Sequence, residues 1–360
     1  MTLVLTLLAA LAALALLTWA HVVFWTQRLS RPLRGGTRLE VLTDDGVRLA
    51  LWHYPGTGSP VICCHGVACN SRSFDLDAET SLARDLSARG FDVYVLDLRG
   101  GGHSFVESPG AIGFFDYARR DAPAAVAFVQ TRTGRRPFWV GHSMGGLIGY
   151  EVAVAAADSL AGLVAIGSPI KLQNLRGALV KGAHLVPTLS LLSRPLGGRL
   201  PVSFISRVLA PLAGRRPLWP QTLFFGPSSI RGSVIRRFLV DGVHAVPSAV
   251  LSELARRMVA DESLDGRSMS LLREALSSLT LPTMTIMGAV DLIAPIVACD
   301  VTEHRQGRDH EAVVMSIATG APVDFGHLDL LFGTHASTHV HPRLAAWLAD
   351  RAGLCESAAP

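Results

Sequence analysis

The pentapeptide Gly141-His142-Ser143-Met144-Gly145 constrains this 360-residue chain more than any other stretch. Before it runs Pro137-Phe138-Trp139-Val140, short and apolar, as a buried strand would be. After it, residues 146–157 are small and apolar, as a closely packed helix would be. Strand, sharp turn and helix are the context in which a G-x-S-x-G pattern lifts a serine hydroxyl above a parallel sheet. The glycines matter because the turn is strained and a Cβ at either flank would strike the neighbouring strand or helix. Ser143 is the expected nucleophile.

Residues 38–42 and 47–54 flank Asp44-Asp45-Gly46 and read as a hairpin. Strands are expected at 61–64, 91–98 and 163–166, and helices at 76–89 and 116–131. The strand pattern then stops, resumes at 283–287 and 312–317, and closes with a helix over 337–351. Strands alternating with helices predict an α/β fold built on a mostly parallel sheet. The interruption from Pro169 to Leu279 is too long for a loop in a compact domain and reads as an inserted helical cap. The expected organisation is an N-terminal anchor (1–27), a first core part (28–168), the cap (169–280) and a second core part (281–360). A content of 49 % hydrophobic and 17 % charged residues excludes a disordered chain.

From Leu3 to Trp25 no side chain is charged. As a helix this run spans about 30 Å of hydrocarbon, with Trp19 and Trp25 where an interfacial aromatic belt falls. A cleavable leader is the alternative, but no Lys or Arg precedes the run and Thr18-Trp19-Ala20 is a poor cleavage site. Residues 26–37 read as a basic linker. Its Arg28, Arg31 and Arg34 place the body on the cytoplasmic side of a single-pass chain. Five cysteines, with Cys63 and Cys64 adjacent, fit a reducing compartment; none has zinc-type spacing, so all are expected as small buried hydrophobes. Between Pro169 and Val240 there are eleven Lys or Arg and no Asp or Glu. That bias marks either a solvated helical face or a surface meeting anionic headgroups, where each cation is worth about 1 kcal/mol.

A serine hydroxyl needs a base, and the base an orienting acid. Asp291 follows the strand at 283–287, on the sheet edge where such folds place their sites. His327, in Asp324-Phe325-Gly326-His327 after the last strand, is the expected base. Asp324 and Asp329 compete with Asp291 as orienter. The oxyanion donors are expected at the backbone N–H groups of Met144 and of Val67, which follows His65-Gly66 after the strand at 61–64. His65 is read as structural and His142 as a packing residue pointing away from the nucleophile. His335, His339 and His341 read as a solvent-facing helix start rather than metal ligands. The loop at 97–104 lacks dinucleotide spacing, so no cofactor, metal or nucleic acid is expected.

With these residues the chain resembles the α/β-hydrolase superfamily, most closely its acid-lipase-type and related bacterial esterase and lipase members. The resemblance is carried by His65-Gly66-Val67, Asp97-Leu98-Arg99-Gly100, Asp121-Ala122-Pro123-Ala124, Gly141 to Gly146, Phe325 to Asp329 and Val340-His341-Pro342. It covers roughly 40–168 and 281–350. It implies a Ser143, Asp291 and His327 triad with Val67 and Met144 as oxyanion donors. Two departures stand out: Met144 occupies a position where acid lipases carry Gln, and the cap matches nothing recognisable. The expected function is hydrolysis of a carboxylic ester, small-molecule or lipid, by a serine hydrolase anchored in the membrane by its N-terminal helix, with the basic cap either solvated or a second membrane contact. An acyltransferase or thioesterase would use the same triad, and a non-catalytic binding protein the same scaffold.

Overall fold

A computed structural model describes residues 2–31, 36–104, 106, 112–171, 178–214, 219–260 and 275–357. The chain opens with helix α1 (Thr2–Leu29), none of whose residues is buried. At about 1.5 Å per residue its 28 residues exceed the roughly 30 Å of a bilayer's hydrocarbon. Instead of becoming a linker at residue 26, the chain stays helical to Leu29. Ser30 Oγ then donates to Asp241 Oδ1 at 2.6 Å and the Arg31 N–H to Asp241 Oδ2 at 3.0 Å. Arg34 lies outside the described residues.

Strands β1 (Thr37–Leu42) and β2 (Arg48–Tyr54) pair antiparallel across a turn in which Gly46 takes φ +83°. Then follow β3 (Pro60–Cys64), helix α2 (Leu82–Ala88), β4 (Asp92–Leu96), helix α3 (Ala122–Thr133), β5 (Phe138–His142), helix α4 (Met144–Ala155) and β6 (Gly162–Ile166). The helix expected over 76–89 begins only at Leu82. Ser81 caps it, its Oγ accepting from the Arg84 N–H at 3.2 Å. The preceding residues stay irregular because Asp75 is held by the Tyr54 hydroxyl at 2.7 Å and by Arg84 Nε at 2.5 Å.

After β6 come helices α5 (Ala178–Ser193), α6 (Val202–Leu209) and α7 (Ser248–Ala260). A two-stranded ribbon of β7 (Arg199–Leu200) and β8 (Val246–Pro247) lies among them. None of the described residues between β6 and the next main strand joins the large sheet. Part of this segment's positive charge pairs with acids of the flanking segments. Arg231 contacts Glu79 at 2.8 Å, Arg237 pairs with Asp77 and Lys171 with Glu303. The sheet resumes with β9 (Thr283–Gly288) and β10 (His310–Met315), and helix α8 (His341–Ser357) closes the chain. His341 is buried, not solvent-facing: its Nε2 bonds the Leu331 carbonyl at 2.9 Å.

The main sheet runs β1-β2-β4-β3-β5-β6-β9-β10, parallel throughout except where β2 meets β1 and β4. Side chains alternate between two cores, one on each face, as a two-residue period requires. Val61, Cys63, Val93, Val95, Phe138 and Val140 face one, and Ile62, Cys64, Tyr94, Leu96 and Trp139 the other. Each large apolar side chain so buried stabilises by about 1.5–3 kcal/mol. The four described cysteines, Cys63, Cys64, Cys69 and Cys299, are buried thiols in this packing.

Candidate active site

Ser143 stands between β5 and α4 with φ +53° and ψ −119°, a backbone conformation that costs a non-glycine residue about 1–3 kcal/mol. Three glycines let neighbouring segments close around it. A Cβ on Gly145 would lie 2.1 Å from the Cys64 carbonyl oxygen, and one on Gly141 2.3 Å from the Gly145 carbonyl. On Gly146 it would lie 2.0 Å from Ser168 Oγ. The strain is held in place by the ladder, since the Ser143 N–H donates to the Ile166 carbonyl at 2.9 Å.

Asp291 follows β9 at the same C-terminal sheet edge. Its Oδ1 accepts the N–H groups of Ile293 at 2.8 Å and Ala294 at 2.7 Å. That leaves Oδ2 for His327 Nδ1 at 2.8 Å. With Nδ1–H donating to the carboxylate, Nε2 is the nitrogen left to accept a proton. Both side chains are buried. The competing acids do other work. Asp324 Oδ1 accepts the Ile317 N–H at 2.9 Å. Asp329 Oδ2 accepts those of Gly326 at 2.9 Å and Gly226 at 3.2 Å. The loop bearing His327 is pinned by the segment between β6 and β9, where the N–H groups of His327 and Leu328 both donate to the Phe224 carbonyl.

The His65-Gly66-Val67 turn lies against Ser143: a Cβ on Gly66 would sit 2.9 Å from Ser143 Cβ. Ala68 takes φ +60°, and the His244 N–H donates to its carbonyl at 2.8 Å, tying this turn to the segment before β8. His65 is structural. Its Nε2 accepts the Leu98 N–H at 3.3 Å, so the proton sits on Nδ1 and is donated to the Gly66 carbonyl at 2.9 Å. Ser143, His327, Val67 and His142 line one cavity of about 350 Å³ whose remaining wall is almost wholly apolar. Helix α6 and Phe224, Phe225 and Phe238 supply much of that wall.

Comparison with known proteins agrees with this fold. The α/β-hydrolase fold family matches residues 59–184, which hold β3 to β6 and the serine turn. The chain has the α/β-hydrolase fold. Among curated relatives, a pimeloyl-[acyl-carrier protein] methyl ester esterase of Aliivibrio salmonicida is 25 % identical over 247 residues, covering 68 % of this chain and 79 % of that protein. Among solved structures, a thermophilic esterase from Thermogutta terrifontis superposes with TM-score 0.59 at 21 % identity, over 88 % of this chain and 99 % of that one. A bacterial membrane phospholipase A superposes with TM-score 0.58 at 19 % identity, over 97 % of both chains. At these identities the structural likenesses speak for the fold, and the relatives for an esterase or lipase type of hydrolase.

Several motif residues hold the scaffold and do not line the cavity. Arg99 Nε and its backbone N–H both reach Asp121 at 2.7 Å, and its two terminal nitrogens reach Asp45 at 2.7 and 3.1 Å. The guanidinium holds the Asp45 carboxyl well below the usual carboxylate range. Asp97 accepts from the Ser71 N–H at 2.7 Å, the His103 N–H at 3.0 Å and Trp52 Nε1 at 3.1 Å. These two knots fix the loop at 97–104.

His142 differs from the expectation that it points away. Its ring centroid lies 4.6 Å from that of His327, and its Nε2 bonds the His327 carbonyl at 3.2 Å. Burial, reinforced by the neighbouring His327, pushes its pKa far below the ordinary histidine value. The strand period hid this contact, because the reversal at Ser143 turns the preceding side chain toward the loop that carries His327.

Proposed function

We propose that the chain is a membrane-anchored serine hydrolase that cleaves carboxylic esters through an acyl-serine. Ser143 attacks the carbonyl, His327 takes its proton and returns it to the leaving alcohol, and Asp291 fixes the imidazole tautomer and stabilises the imidazolium. Water activated by the same base then releases the acid. The N–H groups of Val67 and Met144 receive the developing oxyanion. The observation that carries this reading is the Asp291–His327 pair opening on one apolar cavity with a backbone-strained serine.

The ester bond is further supported by relatives named for methyl ester hydrolysis and by neighbours named as esterases and a phospholipase. The cavity volume, near the lower end of the roughly 300–1,000 Å³ of ligand sites, suits a medium acyl chain. Residues 169–280 act as a cap, and between Val202 and Val243 its described residues wall the cavity. Helix α1 is the anchor, and Arg28 and Arg31 after its apolar run put the catalytic body on the cytoplasmic side. A fluorophosphonate probe tests the mechanism: it labels the full chain in detergent and fails on Ser143→Ala. Equal labelling of both proteins would refute it.

A further inference from the structure

We propose that helix α6 lies in the membrane surface and that the active-site cavity opens beside it into the lipid leaflet, so that the enzyme takes its acyl ester laterally from the bilayer. This rests on the reading of α1 as membrane-spanning and of the cavity as the ester site.

Helix α6 is turned inside out. Its polar Ser206 points inward and donates to the Leu239 carbonyl at 2.7 Å, and Arg207 Nε reaches the Val240 carbonyl at 3.3 Å. Outward stand Phe204, Ile205 and Leu209, and just beyond the helix Leu212, each 48–56 % exposed. A row of large apolar side chains on the outer face of a helix is unfavourable in water and favourable at a lipid boundary.

Its depth follows from one contact. His21 Nε2 on α1 bonds the carbonyl of Val208 on α6 at 3.1 Å. His21 lies four residues inside the end of the uncharged run at Trp25, about 6 Å along the helix axis. In-plane amphipathic helices bury their apolar face about 5–10 Å into the same boundary. With α1 crossing the membrane, α6 is therefore carried to the depth at which such helices lie.

Polarity changes where the headgroups would begin. At the root of α1, Ser30 and Arg31 are clamped to Asp241. A separate cavity of about 300 Å³ there is lined by Arg31, Arg72, Arg207 and His103. Cations at the phosphate level and apolar residues one layer deeper match the zoning of an anionic leaflet.

The same residues connect this face to the chemistry. Ile205, Leu209 and Leu212 are both exposed and part of the lining of the cavity that holds Ser143 and His327. The apolar surface of α6 and the inner wall of the cavity are thus continuous, and an acyl chain could pass between them without meeting water.

The test uses the full chain in vesicles of phosphatidylcholine and phosphatidylglycerol. A photoreactive benzoylphenylalanine is placed at Phe204 or, in the anchor, at Leu11. On illumination both positions are expected to give peptides carrying a phospholipid adduct. An adduct at position 11 without one at 204, or a crosslink from 204 to a second copy of the chain, overturns the proposal and leaves the anchor standing. No adduct at either position overturns both.

Phe204 does not line the cavity, so Phe204→Asp separates entry from chemistry. Turnover of a long-chain fluorogenic ester embedded in the vesicles is expected to fall at least about tenfold, the weight of one lost aromatic insertion. Hydrolysis of dissolved p-nitrophenyl butyrate should stay within about twofold, since the reacting groups are untouched. Unchanged turnover of the embedded ester overturns lateral entry. Absence of butyrate hydrolysis by the unmodified protein overturns the esterase reading instead.

Discussion

Ser30 Oγ donates to Asp241 Oδ1 at 2.6 Å, joining the end of the N-terminal helix to a residue 211 positions further along the chain. Asp241 also takes the Arg31 N–H at 3.0 Å and lies 3.7 Å from Arg72, whose guanidinium donates to the Arg31 carbonyl. Helix α1 is thereby held to the segment between β6 and β9, and that segment to the loop after β3.

That junction predicts a stability effect. Asp241→Ala leaves the buried Arg72 without its carboxylate and should destabilise by about 2–3 kcal/mol. Urea unfolding in detergent measures it, and a loss below about 0.5 kcal/mol would show the junction to be incidental.

The triad predicts a graded loss. Asp291→Asn keeps the shape of the site but deprives His327 Nδ1–H of its charged acceptor, so kcat should fall about 10⁴-fold with KM little changed. A loss of less than about tenfold in steady-state hydrolysis would remove Asp291 from its role.

Two glycines should respond with opposite signs. Gly145→Ala drives a Cβ to 2.1 Å from a backbone oxygen that cannot yield, and should cost about 3 kcal/mol or prevent folding. Gly182, inside α5 with nothing within 4 Å, should gain about 0.5–1 kcal/mol as Gly182→Ala. Thermal melts of both variants check the contrast.

Burial lowers the pKa of both His65 and His142 below the ordinary histidine value. Below about pH 6.5 the unfolded chain therefore binds protons that the folded chain refuses, and stability falls as pH drops through that value. Above it these two residues contribute no slope. Melting temperatures from pH 7.5 to 5 should decline, and less steeply in His142→Asn. Identical slopes in the two proteins would mean that His142 does not stay neutral when folded.

The cavity predicts a chain-length preference. Each buried methylene is worth about 0.8 kcal/mol, so kcat/KM should rise at least about tenfold from p-nitrophenyl acetate to the octanoate. A flat series would mean that the acyl chain lies elsewhere.

The local rules of strand, turn and helix were enough to fix much of this protein from the sequence. The Gly141–Gly145 turn, the hairpin at Gly46, the alternating strands and the 23-residue uncharged run depend on neighbours only a few residues away. For that reason the frame of the sheet was legible at once, and the sharp turn at Ser143 with it. Asp291 and His327 could be singled out because each follows a recognisable strand, and the structure brings them within 2.8 Å of each other.

What periodicity could not give is whatever depends on contacts between distant segments. The shortened α2 depends on Tyr54 and Arg84 holding Asp75, and the burial of His341 on its bond to the Leu331 carbonyl. His142 meets His327 across 185 residues. Composition could not show that Arg231, Arg237 and Lys171, among the cations of residues 169–240, pair with acids of other segments. The sequence also could not show α6 facing outward with its apolar side. Which face of an amphipathic helix points inward is decided by the carbonyls and carboxylates that its polar side finds, and only the tertiary structure brings those to Ser206 and Arg207.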